Sequence, residues 1–253
     1  MASSSAEMIA GDVPSPSLPQ NTVTIIIMDW DDTIFPITWL TENGMLSMSC
    51  ISTIVFTDVS SEKRAQFEEL QKNVIALLTY AMTLGTCIII TNAKKTWVEM
   101  TCQFFLPKVW QLMGGLRIVS ARDSFERTMP QEQAKWKEFT FQQEILAIYG
   151  KNPEANMYNI ISFGDSIYER SAIKKAGQLI ETGKSMSIMF AKMDGIVIPK
   201  PCVIVKSIKF VDKPCIQKMT DQLNFMYTSF NNIVNFPRNL DIMLVIEDII
   251  SHK

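Results

Sequence analysis

The chain has 253 residues, of which 47% are hydrophobic and 20% charged, and a formal net charge of −2. That is enough for one large globular domain with its own core, and the near-neutral balance supplies no basic field for nucleic acid or an anionic membrane. The single histidine, His252, excludes a Ser-His-Asp triad, a zinc-protease helix and a histidine phosphatase.

Residues 1–22 are rich in Ser and Pro and lack Lys and Arg, which predicts a disordered tail without the basic start and apolar stretch of a secretory signal. The run Ile25-Ile26-Ile27-Met28 predicts a buried strand over 23–29. Between Thr38 and Ser61 lies Asn43-Gly44, a signal for a tight hairpin, so 38–61 reads as a small flap or minimal cap. A helical pattern follows over 62–84. Residues 73–93 carry no charge, yet Thr79, Tyr80, Thr83, Thr86 and Thr91, with Gly85 dividing the run, fit a buried αβ unit and not a membrane span.

Further along, strands are predicted over 86–91, 116–120, 158–163, 186–190 and 202–208, and helices over 94–112, 136–150, 168–181 and 214–234. A last amphipathic helix is predicted over 236–250 after Pro237. Alternating strands and helices imply an α/β fold: a Rossmann-like, mostly parallel sheet with helices on both faces, forming a single domain over 23–253. The five cysteines are odd in number and form no CxxC pair, and Cys87 and Cys202 sit in apolar runs. Reduced thiols in a cytoplasmic protein are the expectation. None has an Arg six residues on, which excludes a cysteine-dependent phosphatase. The stretch GQLIETGKS over 177–185 imitates a phosphate-binding P-loop, but it has five residues between its glycines and follows a helix.

Three strand ends carry chemistry. The first delivers Asp29-Trp30-Asp31-Asp32-Thr33, the second Thr91-Asn92, and the third Gly164-Asp165-Ser166-Ile167-Tyr168-Glu169. Burying ionised carboxylates is costly unless a cation or hydrogen bonds compensate. Asp-x-Asp at the carboxyl end of a parallel strand therefore suggests a magnesium site. Residues two apart in an extended strand face one side, which turns Asp29 and Asp31 toward a common ligand and Trp30 away into packing.

In this order, with a lysine among Lys135 and Lys137 before the last motif, these segments resemble the haloacid dehalogenase-like superfamily of aspartate-nucleophile phosphohydrolases. The resemblance spans roughly residues 23 to 210, with Glu169 standing where Asp is commoner. It implies Asp29 as nucleophile and Asp31 as general acid and base. It implies Thr91 and the Asn92 N–H on a phosphoryl oxygen, and Thr33 beside the nucleophile. Mg2+ would be held by Asp29, the Asp31 carbonyl and Asp165, with Glu169 on a metal-bound water. The catalytic lysine is Lys137 or Lys135; Lys137 lies nearer the start of the periodic segment ending at Gly150. Asp32 reads as a turn residue or helix N-cap.

A halide leaving group needs no acid, so the second Asp favours phosphoryl transfer over dehalogenation. The expected function is hydrolysis of phosphate monoesters, on a small molecule or a phosphoprotein, through an aspartyl-phosphate. A phosphotransferase of the same superfamily and a non-catalytic binding module are the alternatives. Lys94, Lys95, Arg122 and Arg127 follow strand ends and are candidates for binding substrate phosphate or an acidic partner, or are solvated.

Overall fold

Ile25, Ile26 and Ile27 are fully buried and Met28 is 1% exposed, so the first strand is covered on both faces, as an apolar run without alternation requires. The computed structural model describes residues 18–46, 60–152, 154–182 and 201–245. Among these, six strands form one sheet: β1 (Thr22–Met28), β2 (Thr86–Thr91), β3 (Arg117–Ser120), β4 (Met157–Gly164), β5 (Cys202–Lys209) and β6 (Leu240–Met243). Their order is β3-β2-β1-β4-β5-β6, with every pairing parallel. The chain is therefore a Rossmann-like α/β protein.

The helices are α1 (Ile37–Glu42), α2 (Ser61–Leu84), α3 (Lys95–Phe105), α4 (Pro107–Met113), α5 (Ala121–Phe125), α6 (Gln133–Lys151), α7 (Ile167–Thr182) and α8 (Ile216–Asn235). Alternate strand residues divide the core. Ile26, Met28, Ile89, Ile161 and Phe163 pack with α2, α3, α4 and α8 on one face. Ile25, Ile27, Ile88, Ile90 and Ile160 pack with α6 and α7 on the other. Among the described residues, no helix is long and apolar enough to cross a membrane.

Strand order reverses between β1 and β4, which are neighbours although β2 and β3 intervene in sequence. At such a point the helices leave toward opposite faces, and a crevice opens beyond the carboxyl ends of the two strands. Asp29 follows β1 and Asp165 follows β4. The last crossover is unusual. The α3–α4 pair and α8 pack on the same face, yet β2 to β3 and β5 to β6 step in opposite directions across the sheet. The β5–α8–β6 connection thus has the opposite hand to β2–α3–α4–β3, which is rare.

Three predicted elements differ. The helix predicted over 94–112 is two helices, because Pro107 starts α4 at its first position and lacks the N–H needed to continue α3. Asn43-Gly44 makes no hairpin. The Gly44 N–H bonds the Thr41 carbonyl, the Met45 N–H bonds the Leu40 carbonyl, and Gly44 has φ of 68°. This is a Schellman close of α1, which uses the same left-handed glycine as a hairpin turn. In the predicted helix 236–250, the described part forms β6 instead. There the Asn239 carboxamide oxygen accepts the Val205 N–H at 2.8 Å, and Asp241 takes two 2.7 Å bonds from Arg170 of α7. These anchors hold the segment extended beside β5. The predicted strand 186–190, residues 47–59 of the predicted flap and residues 1–17 of the predicted tail lie outside the described residues.

Candidate metal and phosphoryl site

The three strand ends converge. Asp29, Asp165 and Glu169 each present a carboxylate oxygen, and these oxygens all lie within 4.8 Å of one another. Asp29 is fixed by its N–H to the Phe163 carbonyl at 3.0 Å, which locks the end of β1 against β4. Thr33 couples the two acidic loops. Its hydroxyl accepts the Asp165 N–H at 3.1 Å, and it is 1% exposed and set back from the cavity lining. Glu169, in the first turn of α7, accepts the Ser166 N–H at 3.1 Å and the Ser166 hydroxyl. Gly164 leaves the space that this carboxylate arm occupies: a Cβ there would collide with the Glu169 side chain. Gly164→Ala is therefore expected to destabilise the fold by about 1–3 kcal/mol, read as a lowered urea midpoint at unchanged slope.

The lysine that reaches the cluster is Lys137. It is 1% exposed, its ammonium lies 2.8 Å from Asp29 Oδ1, and it also contacts Glu169. Lys135 instead pairs with Glu132 on the surface. Lys137 sits just past the first turn of α6, where the helix dipole opposes a cation; the paired carboxylates offset that opposition. Burial works against its charge, but Asp29 and Glu169 outweigh it and raise its pKa.

Three carboxyls are pushed upward. Burial raises Asp29 to about 6 against the pull of Lys137. Burial also raises Asp31 to about 7, opposed by a hydrogen bond from Trp97, and Asp165 to about 8, with Asp29 and Glu169 adding repulsion. A buried all-oxygen donor set with one ammonium among several carboxylates is short of positive charge. That is the donor chemistry a hard divalent cation such as Mg2+ prefers, so the residues fit such an ion.

Above the cluster opens a cavity of about 610 Å³ lined by Asp29, Asp31, Thr91, Asn92, Trp97 and Lys137 among others. The Thr91 hydroxyl accepts the Ala93 N–H at 3.0 Å and keeps its own proton to donate. The Asn92 carboxamide binds the Gln133 carbonyl at 3.2 Å, joining the β2 loop to α6. Trp30 is fully buried and stacks on Phe35 with ring centroids 5.9 Å apart. Asp32 has φ of 52°, and its carboxylate accepts the Thr38 N–H at 3.0 Å and the Thr38 hydroxyl at 2.5 Å. It is a turn residue that caps the start of α1. Arg122 and Lys94 stand at the cavity wall, Arg122 paired with Glu126, whereas Lys95 pairs at long range with Glu99.

Sequence reasoning passed over Trp97 and Ser166. Ser166 carries a local signal, a hydroxyl three residues before an acid, as at a helix start. Trp97 carries none, since its partner Asp31 lies 66 positions away. Compared with protein-family models, with curated proteins and with solved structures, the chain matches none.

Proposed function

We propose that the chain is a magnesium-dependent phosphohydrolase acting on phosphate monoesters through an aspartyl-phosphate on Asp29, the chemistry its motif resemblance implies. One observation carries this reading: Asp29, Asp165 and Glu169 gather their oxygens within 4.8 Å at the switch point of the sheet. Asp29, the Asp31 carbonyl and Asp165 would hold Mg2+, with Glu169 behind them. When bound, the ion supplies positive charge against the phosphoryl oxygens.

In the first half-reaction a carboxylate oxygen of Asp29 attacks phosphorus, and the bond to the leaving oxygen breaks. Asp31 gives that oxygen its proton. The pKa near 7 given by burial leaves Asp31 a usable acid at neutral pH. Lys137 holds the Asp29 carboxylate ionised and in place. The Thr91 hydroxyl and the Asn92 backbone N–H serve as donors to the phosphoryl oxygens. In the second half-reaction, ionised Asp31 takes a proton from water. The hydroxyl oxygen attacks phosphorus, the bond to Asp29 breaks, and phosphate leaves.

The test is turnover of p-nitrophenyl phosphate with Mg2+ by the wild type and by Asp29→Asn. The variant should lose about 10³-fold or more in kcat, as deletion of a nucleophile does elsewhere. Transfer to added alcohols exceeding hydrolysis would make the chain a phosphotransferase. A folded wild type inert on a broad phosphoester panel would make it a binding module.

A further inference from the structure

Beside the acid of this proposed reaction stands an indole with no part in the motifs. Trp97 is the third residue of α3, partly buried, and lines the cavity. Its Nε1–H donates to Asp31 Oδ1 at 3.0 Å. Its placement is reinforced from both sides. The Trp30 indole N–H bonds the Thr101 hydroxyl at 3.1 Å, and that hydroxyl donates to the Trp97 carbonyl at 2.8 Å. Phe35 sits between the two indoles, stacked on Trp30 and edge-on to Trp97 with centroids 6.4 Å apart. The first turns of α3 are thereby fastened to the loop that carries Asp29, Asp31 and Asp32.

We propose that Trp97 is the positioning residue of the acid step, and that its indole N–H fixes which oxygen of Asp31 delivers the proton. An indole nitrogen only donates. It therefore occupies the oxygen that carries no proton, Oδ1, and leaves the transferable proton on Oδ2. It also fixes the carboxyl torsion, which is broad and roughly two-fold when unconstrained. A carboxyl free to rotate spends part of its time in the wrong orientation, and misplacement of about 1 Å lowers rates strongly.

This role rests on the phosphohydrolase reading and makes a demand that packing alone does not. Nitrophenolate leaves without help, whereas an alkoxide must be protonated as its bond to phosphorus breaks. Loss of acid positioning must therefore depend on the leaving group. The experiment measures kcat of the wild type and of Trp97→Phe on p-nitrophenyl phosphate and on glycerol phosphate, both with Mg2+. The expected result is a kcat on glycerol phosphate lowered roughly tenfold to a hundredfold, a fraction of what an acid supplies, with less than about threefold change on the nitrophenyl ester. Incorporation of β-(3-benzothienyl)alanine at position 97, which puts sulfur where the N–H was and keeps the ring, should reproduce the pattern even if the Phe variant fails to fold. Equal losses on both substrates, or no loss on either, would overturn the role of Trp97 while leaving the hydrolase reading standing. A wild type inactive on both esters would overturn the two together.

Discussion

Lys137→Met is expected to destabilise the protein by about 3–5 kcal/mol at pH 8, because it strands buried carboxylates by removing the ammonium that contacts them. Lys137 and Glu169 are both nearly inaccessible to solvent, and Asp29 is 7% exposed. Water cannot take over the work of the ammonium. The cost must shrink on acidification. Without the lysine, which pulls the Asp29 pKa down, Asp29 takes up a proton more readily than before, so the variant binds extra protons in its folded state. Its stability then falls more steeply with rising pH than that of the wild type. Urea denaturation at pH 5 and pH 8 checks this, with the larger loss expected at pH 8. A loss independent of pH would point to mispacking of the α6 start. Adding Glu169→Gln to Lys137→Met removes one stranded charge and should recover part of the stability. Activity should not return, since Lys137 contacts Asp29, the proposed nucleophile, directly at 2.8 Å.

The site was legible where the chemistry is local. β1 and β4 are apolar runs that end in acids, and a parallel strand buried on both faces needs that uniform composition. The carboxylates therefore fell at strand ends whatever the order of the sheet. Choosing Lys137 over Lys135 depended on two residues of helical phase, about half a turn, and the structure separates them as one buried and one surface side chain. What stayed hidden depends on contacts across the chain. Trp97 and Thr33 find partners 66 and 132 positions away, which no local pattern encodes. Asn43-Gly44 misled because a hairpin and a Schellman motif ask the same left-handed conformation of glycine, and the helical Ile37–Glu42 segment before it decides between them. β6 misled because LDIM is too short to separate a period of two from one of 3.6. Its extended form is set by β5 and α7, not by its own sequence.

Magnesium is expected to raise the melting temperature far more at pH 8 than at pH 5, and Asp165→Asn should abolish the rise. The sign follows from the shifts. Burial lifts Asp165 from an ordinary 3.8 to about 8, Asp31 to about 7 and Asp29 to about 6. Between pH 4 and those values the folded protein holds protons that the unfolded chain has released. The metal-free protein therefore loses stability as pH rises through this window, by at most about 1.4 kcal/mol per unit for each full proton. Asp165 is partly exposed, so solvent screening discounts its share to roughly 1–3 kcal/mol over the window. Asn at position 165 carries no charge at any of these pH values. Without metal, Asp165→Asn should thus match the wild type near pH 4 and exceed its stability at pH 8. Magnesium reverses that order for the wild type alone. It binds ionised carboxylates and competes with protons, so its effect grows with pH. At a hundred times its dissociation constant it adds about 2.7 kcal/mol. Thermal melts of both proteins at pH 5 and 8, with and without MgCl2, measure all of this at once. A melting temperature indifferent to magnesium at pH 8, or an equal rise in Asp165→Asn, would mean that the carboxylates of Asp29, Asp165 and Glu169 do not share a cation.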